Sequence, residues 1–348
     1  MFWKCPQCHG DLAATADDLT CVACDRNFPV VAELPDFRLG QPSWIDFDDD
    51  RARALLIDAL IRAEGLEAGI FDVFRNSRQM DEARCRFRTR QVLGGADKYD
   101  RQLDGWLADT RAMPVLEVGT GAGQVSVALA RRGIATYGID VSMEWLVVAK
   151  HWLRQNGVTP QLAAAMAENL PVADGSVASY ISLDVIEHVG DQKRYVSELA
   201  RVLHPGGHYA LVTPNRFSLA PEPHVGVWGV GYLPRRLQVP WVRLCAGVSY
   251  DYTRLLGTGE IRRLFRRHGR LEPLLSFPQI APEEIALFPP LKAGLARAYN
   301  RLSTWRVFGA VAPLTGTYYR VTGTIPQIAA AQQIAAAQQT AAAQRKTG

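Results

Sequence analysis

The amino-acid sequence predicts an α/β protein in which a mainly parallel sheet follows a small cysteine-rich module. Two observations predict the sheet. Short apolar runs alternate with helical patterns from residue 113 onward, and a glycine-rich turn separates the first run from the first helix. Strands that alternate with helices imply βαβ units and therefore parallel strands. A third observation predicts the module, because four of the six cysteines form two Cys-x-x-Cys pairs near the start of the chain.

The apolar runs give the order of the elements. Strands are predicted at residues 115–118, 134–139, 177–183, 208–213 and 318–323, and helices at 125–132, 144–155 and 192–203. The last helix is expected to end at Pro205-Gly206-Gly207, because proline and glycine terminate helices. An earlier helix is predicted at 51–62. The triplet Asp48-Asp49-Asp50 before it is interpreted as helix-start charge, with a cation site as the alternative.

Composition and charge are those of an ordinary globular protein. Hydrophobic residues make up 48% and charged residues 21% of the 348 residues. The net charge of +4 gives no reason to expect a nucleic-acid partner. No apolar run approaches the ~18 residues of a spanning helix, and no secretory signal precedes Cys5. These features predict a cytoplasmic protein.

The two cysteine pairs have the spacing of a metal site. In a reducing compartment, paired thiols are read as metal ligands before disulfides. Tetrahedral zinc takes four thiolates from two turns, which this spacing supplies. A redox-active pair is the alternative, but no βαβ pattern surrounds either pair. The sequence therefore predicts one structural Zn²⁺ bound by four ligands: Cys5, Cys8, Cys21 and Cys24.

The glycine-rich turn has the character of a cofactor loop. The run Val115-Leu116-Glu117-Val118-Gly119-Thr120-Gly121-Ala122-Gly123 leads from a strand into a helix, and glycines let the backbone approach a ligand closely. A dinucleotide-binding turn has the pattern Gly-x-Gly-x-x-Gly, whereas Gln124 stands here at the last position. Asp140 ends the next strand, where a carboxylate can accept hydrogen bonds from both ribose hydroxyls of a nucleoside.

The glycine run resembles motif I of the class I S-adenosylmethionine-dependent methyltransferases, and Asp140 resembles their ribose-binding acidic residue. Later segments resemble further motifs of this family in the correct order: 167–171 with 174–176, 183–189, 201–207 and 213–216. The resemblance implies a Rossmann-like sheet of seven strands and S-adenosylmethionine as cofactor. It implies a cofactor site of eleven residues: Glu117, Gly119, Thr120, Gly121, Gly123, Asp140, Val141, Met166, Ala167, Glu168 and Asp184. Met166 departs from the family, which usually has an acidic residue there.

The same resemblance bears on the acceptor. Enzymes that methylate amino or amide nitrogens commonly carry Asn/Asp-Pro-Pro-aromatic at the fourth strand, and this chain has Leu183-Asp184-Val185-Ile186. Segments 183–189 and 213–216 look most like the quinone and phenol O-methyltransferase branch. This similarity implies O-methylation of a small aromatic or lipid-like acceptor.

His188 and Glu187 are the predicted catalytic residues. A phenol has a pKa of about 10 and an imidazole one of about 6.5, so a neighbouring neutral imidazole can help to deprotonate the acceptor. A hydrogen-bonded structural histidine is the alternative interpretation of His188. Three other histidines are weaker candidates: His204, His208 and His224.

The cysteine module is itself similar to a known class. With residues 28–30 and 34–36 after it, it resembles the zinc-ribbon activator subunits of tRNA and release-factor methyltransferases, and more distantly the ribbon that precedes some rRNA guanine methyltransferases. This resemblance implies a second function, methylation of RNA or a translation factor guided by the ribbon. A third interpretation is a non-catalytic cofactor-binding adaptor, against which the intact glycine turn argues.

These features divide the chain into four segments. A zinc ribbon is expected at 1–40, a helical linker at 41–95, a methyltransferase domain at 96–325 with a substrate-capping insertion at 215–255, and a low-complexity Ala/Gln tail at 326–348. Residues 279–312 could line a substrate tunnel, contact a membrane surface or pack in the core. Four arginines are interpreted as a solvated helix face, with phosphate or RNA binding as the alternative: Arg262, Arg263, Arg266 and Arg267.

Overall fold

The computed structural model describes residues 2–15, 18–42, 44–107, 113–277, 280, 285–286, 288–303 and 316–327. The chain divides into two compact units. Unit 1 contains Met1–Ser182, Lys193–Tyr209 and Thr324–Gly348, and unit 2 contains Leu183–Gln192 and Ala210–Gly323. This division runs through the expected methyltransferase domain. The Ala/Gln tail beyond residue 327 lies outside the described residues.

The start of unit 1 is a small antiparallel sheet. Its strands lie in the order β1-β2-β3-β4: β1 (Leu12–Ala14), β2 (Asp18–Cys21), β3 (Asn27–Val31) and β4 (Leu34–Pro35). Phe28 and Phe37 meet edge to face with ring centroids 5.2 Å apart, and Trp3 lies 6.1 Å from Phe37. All three rings are buried. The module therefore buries aromatic side chains although its strands are short.

Two backbone contacts attach this module to the rest of unit 1. The Phe37 N–H donates to the Ala164 carbonyl at 2.7 Å, and the Lys4 N–H donates to the Pro171 carbonyl at 2.9 Å. Both ends of the module are thus fixed by hydrogen bonds to one short stretch of the chain.

Residues 41–95, expected to be a helical linker, form helices that share a core with the sheet region. They form α1 (Phe47–Glu64), α2 (Leu66–Asp72), α3 (Glu82–Leu93) and the start of α4 (Gly95–Asp100). α1 begins earlier than expected because the Asp46 carboxylate accepts hydrogen bonds from the N–H groups of Asp48 and Asp49. Its buried face, with Ile57 and Ile61, joins one apolar cluster with Val147.

Seven strands form the main sheet in the order β10-β11-β9-β8-β5-β6-β7. They are β5 (Val115–Val118), β6 (Thr136–Asp140), β7 (Leu162–Ala164), β8 (Val177–Leu183), β9 (Leu203–Pro214), β10 (Leu274–Ser276) and β11 (Tyr318–Thr324). β5 pairs in parallel with β6 and β8, β6 pairs in parallel with β7, and β10 is antiparallel to β11. The expected seven-stranded α/β sheet is confirmed.

The helices between these strands lie close to their expected positions. They are α5 (Gln124–Arg131), α6 (Met143–Gln155) and α7 (Gln192–Val202). β9 follows α7 directly, so Pro205-Gly206-Gly207 lies inside a strand and not in a loop before it. Gly206 has φ 79°, and its N–H donates to the Ile325 carbonyl at 2.9 Å. A glycine in this left-handed region lets the strand continue through an irregular position.

Unit 2 contains the expected insertion, and its described residues include the helices α8 (Arg235–Ala246), α9 (Thr258–Leu264) and α10 (Pro290–Ser303). The insertion has a small core of its own made of Val227, Val230, Val242 and Tyr250. The four arginines at 262–267 are exposed. Within 279–312, residues 279, 281–284, 287 and 304–312 lie outside the described residues. No helix in the described part of the chain has the length and apolar character needed to cross a bilayer.

A buried ion-pair network connects the cysteine module to α1 and α6. The Arg38 guanidinium donates to both carboxylate oxygens of Asp36 and, at 2.5 Å, to Asp50 Oδ2. The side chains of Arg38 and Asp36 are fully buried. Burial alone would raise the pKa of Asp36, but Arg38 and Arg51 hold it below its usual value. Asp50, expected to be simple helix-start charge, is thus part of an internal network.

Replacing Arg38 should destabilise the protein strongly. Arg38→Ala leaves the buried carboxylate of Asp50 without its cation and Asp36 with Arg51 alone, and breaking a buried pair in this way costs about 3–5 kcal/mol. We expect urea unfolding to show this loss. Arg86→Ala is the control, because Arg86 pairs with Glu82 on the surface, where a pair contributes about 0–1 kcal/mol. Equal stabilities of the two variants would contradict a structural role for the buried network.

Candidate cofactor and acceptor sites

The glycine turn after β5 is tied to the end of β6. The N–H groups of Gly119 and Thr120 both donate to the Ile139 carbonyl, at 2.7 and 3.0 Å. Gly119, Gly121 and Gly123 have φ values of 81°, 51° and 88°, in the region that favours glycine. The turn therefore needs its three glycines for backbone conformation, as the sequence pattern indicated.

Gly121 and Gly123 differ in what surrounds them. A Cβ built on Gly121 would meet no protein atom within 4 Å, whereas one on Gly123 would lie 2.9 Å from the Ala149 Cβ of α6. Gly123 thus lets α5 begin against α6. The open space at Gly121 is where a cofactor can approach the backbone. Of the two, only Gly121 has room for the predicted ligand beside it.

Asp140 accepts hydrogen bonds from the glycine turn and from the start of the segment that leads into α6. One carboxylate oxygen accepts the Gly121 N–H at 2.7 Å and the other accepts the Ser142 N–H at 2.9 Å. Burial raises the pKa of Asp140, while these two amide bonds act in the opposite direction. Each carboxylate oxygen has a further lone pair, so both can still accept a hydroxyl. The arrangement fits a ribose diol.

Glu117, at the end of β5, is a buried acid. It is 3% exposed, and Ser126 Oγ donates to its carboxylate at 2.5 Å. Burial raises the pKa of Glu117 to about 8, so the group is mainly protonated at neutral pH. A cation bound nearby would favour the ionised form. S-adenosylmethionine carries two cationic groups, a sulfonium and an ammonium. Either of them could pair with the Glu117 carboxylate once it is ionised.

The second predicted cofactor segment follows β7. Met166 and Ala167 lie in a turn in which the Asn169 N–H donates to the Met166 carbonyl at 3.0 Å. Glu168 is 8% exposed. Two side chains of α7 hold the end of this segment. Glu198 accepts the Leu170 N–H at 2.8 Å, and Arg201 donates to the Leu170 carbonyl at 3.1 Å.

The four cysteines of the first module meet in one cluster. Their Sγ atoms lie within 4.8 Å of one another, with Cys5 3.7 Å from Cys24 and Cys8 3.4 Å from Cys21. Zinc–sulfur bonds of about 2.3 Å at tetrahedral angles place two sulfurs about 3.8 Å apart, whereas a disulfide joins them at about 2.05 Å. All four are free thiols. The cluster fits a tetrahedral metal ion.

The two cysteine turns have the same geometry. The N–H of His9 donates to the Cys5 carbonyl at 2.8 Å, and the N–H of Asp25 donates to the Cys21 carbonyl at 3.0 Å. His9 and Asp25 occupy equivalent left-handed positions, with φ 59° and 55°. Each therefore shapes its turn, and four sulfurs complete a tetrahedral site without either side chain.

In unit 2 the predicted catalytic residues lie close to His224, which the sequence made a weaker catalytic candidate. Ligand atoms of Glu187, His188 and His224 lie within 4.8 Å of one another. The two imidazole rings are perpendicular, with centroids 4.6 Å apart. His224 Nδ1 lies 2.6 Å from a carboxylate oxygen of Glu222, which is 5% exposed. Asp184 stands at the end of β8 with φ 55° and is exposed.

Glu187 differs from an ordinary general base. It is 1% exposed, and Thr213 Oγ1 donates to its carboxylate at 3.0 Å. Burial, followed by the negative charge of Asp184, raises its pKa well above the usual value. Burial therefore favours the neutral acid form of Glu187. The cluster of one carboxyl and two imidazoles is a donor set that divalent metals accept.

Two residues of these sites were not predicted from the sequence. Arg38, whose guanidinium also donates to the Val141 carbonyl at 2.9 Å, lies far from the cofactor motifs along the chain. Glu222 orients His224 from two residues before it, in Glu222-Pro223-His224. An acid this close to a histidine in a turn is a local pattern that could have drawn attention to the pair.

The comparisons with known proteins agree with this geometry. A family model described as a methyltransferase domain matches residues 116–211. A ubiquinone biosynthesis O-methyltransferase of Cereibacter sphaeroides is 28% identical over 206 residues, which cover 58% of this chain and 75% of that protein. A protein of the same name from Agrobacterium fabrum is 31% identical over 131 residues, 38% of this chain and 50% of that protein.

Among solved structures, the Haemonchus contortus phosphoethanolamine N-methyltransferase 2 is 17% identical, with a TM-score of 0.47. The match covers 82% of this chain and 62% of that one. A similarity at this level carries no argument about function. The sheet, the glycine turn and the matched family model agree with one another. Residues 116–211 form a methyltransferase domain of the class I S-adenosylmethionine-dependent type.

Removing the Asp140 carboxylate should weaken cofactor binding. A hydrogen bond to a charged group contributes about 1.5–3 kcal/mol, so we expect Asp140→Ala to bind S-adenosylmethionine about 10- to 150-fold more weakly in calorimetric titration. Asp97→Ala is the control, because Asp97 is an exposed acid paired with Arg131. Wild-type affinity of Asp140→Ala, or tight binding of NAD to the wild type, would refute the assignment of this loop.

Proposed function

We propose that the protein transfers a methyl group from S-adenosylmethionine to a hydroxyl oxygen of a small aromatic or lipid-like acceptor. The observation that carries the proposal is the pair of imidazoles in unit 2, one of which is oriented by a buried carboxylate. A hydroxyl needs a base, whereas an amine is already nucleophilic. The names of the O-methyltransferase relatives support the same chemistry.

The proposed mechanism assigns the proton to an imidazole. S-adenosylmethionine supplies a methyl group that is already activated on a sulfonium. When His224 Nδ1–H donates to Glu222, Nε2 is left as the acceptor, an arrangement used by histidine bases. The acceptor O–H proton passes to this nitrogen as the new O–CH₃ bond forms and the S–CH₃ bond breaks. His188, beside His224, completes the polar surface that faces the hydroxyl.

The same side chains offer a second way to activate the hydroxyl. A divalent cation held by Glu187, His188 and His224 would ionise Glu187 and lower the pKa of a bound hydroxyl. Activity that a chelator abolishes and added Mg²⁺ or Mn²⁺ restores would favour this route. Activity that persists after exhaustive dialysis against a chelator would favour the imidazole as base.

Loss of either imidazole should slow methyl transfer. General base catalysis contributes about 10²–10⁴-fold, so we expect His188→Ala and His224→Ala each to lower kcat by about 10²-fold or more, with nearly unchanged affinity for S-adenosylmethionine. His268→Ala, an exposed histidine of unit 2, is the control. The assay follows labelled methyl groups into catechols and hydroquinones.

The acceptor class is tested by the same labelled cofactor in cell extract. Fractionation into small molecules, RNA and protein should place the label in the small-molecule fraction. Label in RNA or in a translation factor would replace this proposal with the second function that the ribbon suggests. Full turnover by both histidine variants on the true acceptor would return the histidines to a structural role.

We also propose that the cysteine cluster binds one structural zinc ion. Zinc binding contributes directly to the folding of small modules, so removing it should loosen the first forty residues. Metal analysis should find one zinc per chain in the wild type and in Cys245→Ser, whose thiol is exposed, but less than one in Cys5→Ser. A wild-type protein purified without zinc, or with a Cys5 disulfide, would contradict the assignment.

A further inference from the structure

Helix α8 of the insertion exposes an apolar stripe. Leu237, Trp241 and Leu244 are exposed by 46%, 40% and 80%. Their spacing of four and three residues places them on one face of the helix. Trp228 continues the surface. It is 62% exposed, and its carbonyl accepts the indole N–H of Trp241 at 3.1 Å. A contiguous patch of large apolar side chains on a protein surface marks an interaction site.

The orientation of α8 is fixed by its opposite face. Val242 is buried in the small core of the insertion, and Gln238 is buried with its amide donating to the Leu233 carbonyl at 3.2 Å. The helix thus buries an amide while it exposes tryptophan and leucine, the reverse of an ordinary surface helix. Rotation of the helix to bury the stripe would expose Val242 and break the Gln238 hydrogen bond.

The charge of this region points to one kind of partner. From Pro223 to Tyr250 the sequence has no acidic residue and three arginines. Arg236 and Arg243 are exposed and lie seven residues apart, along one flank of the apolar stripe. A short helix with leucine and tryptophan on its outer face and arginine at the flank is typical of helices that lie in a lipid interface. Tryptophan is enriched at that depth.

We propose that α8 and Trp228 form a surface that binds anionic phospholipid membranes. The apolar stripe enters the boundary between headgroups and acyl chains, while Arg236 and Arg243 contact anionic headgroups. A second copy of the chain would bring the same arginines together and gain no charge complementarity. The surface differs from residues 279–312, which the sequence suggested for membrane contact. It is independent of the proposed acceptor, because lipid binding requires no turnover.

The test is sedimentation of the full chain with phosphatidylglycerol vesicles and with phosphatidylcholine vesicles at low salt. We expect stronger binding to the anionic vesicles. Trp241→Ser/Leu244→Ser should bind at least tenfold more weakly to both. Arg236→Gln/Arg243→Gln should lose about 25-fold on anionic vesicles only, since each basic side chain contributes about fivefold at such a surface.

Leu55→Ser/Leu56→Ser is the matched control, because these leucines of α1 are as exposed but lie outside the stripe. It should bind vesicles like the wild type, and all variants should retain binding of S-adenosylmethionine as a check on folding. The proposal is overturned if the wild type does not bind anionic vesicles, or if the Trp241/Leu244 variant binds them normally. It is also overturned if light scattering shows a dimer that this variant dissociates.

Discussion

The buried pair of Arg38 and Asp50 is the interaction on which the cofactor region of unit 1 depends. Asp50 Oδ2 accepts the Arg38 guanidinium and, at 2.8 Å, the Met143 N–H that begins α6. The same guanidinium holds the Val141 carbonyl. The residues that follow Asp140 are therefore held in place by two charged side chains, Arg38 and Asp50, which lie outside the sheet. Because an isolated buried charge is costly, Arg38 and Asp50 must stay paired for α1 and α6 to keep this arrangement.

The first forty residues support the second cofactor segment as well. The backbone N–H groups of Phe37 and Lys4 donate hydrogen bonds to the carbonyls of Ala164 and Pro171, so the module holds both ends of the stretch that contains Met166. Helix α7 holds the same stretch through Glu198. The cysteine cluster belongs to this module, and a Cβ on Gly10 would lie 3.2 Å from the Cys21 sulfur and 3.3 Å from the Cys8 sulfur. A metal bound there would therefore act at a distance on cofactor binding, by keeping the module folded, without any contact with the cofactor.

The parts of the fold that could be predicted from sequence are those that depend on neighbouring residues. The glycine turn and the cysteine turns require particular backbone angles, which Gly121 and the Cys-x-x-Cys spacing encode locally. β7 is only three residues long and leaves no periodic pattern. Residues 41–95 were expected to be a helical linker, and their sequence does not show that these helices pack against α6 in one apolar cluster. The role of Arg38 depends on tertiary contacts, so composition and spacing could not assign it.

Buried acids recur in both units, and their protonation bears on the catalytic cycle. Glu117 has a pKa of about 8 because of burial, so its proton is held until a cation favours the carboxylate. In the proposed cofactor site, a sulfonium would supply that cation, and binding would release a proton below about pH 8. Methyl transfer would remove the sulfonium charge and leave the ammonium, so the product would favour the ionised form of Glu117 less than the cofactor does. This difference would favour exchange of the spent cofactor for a fresh one.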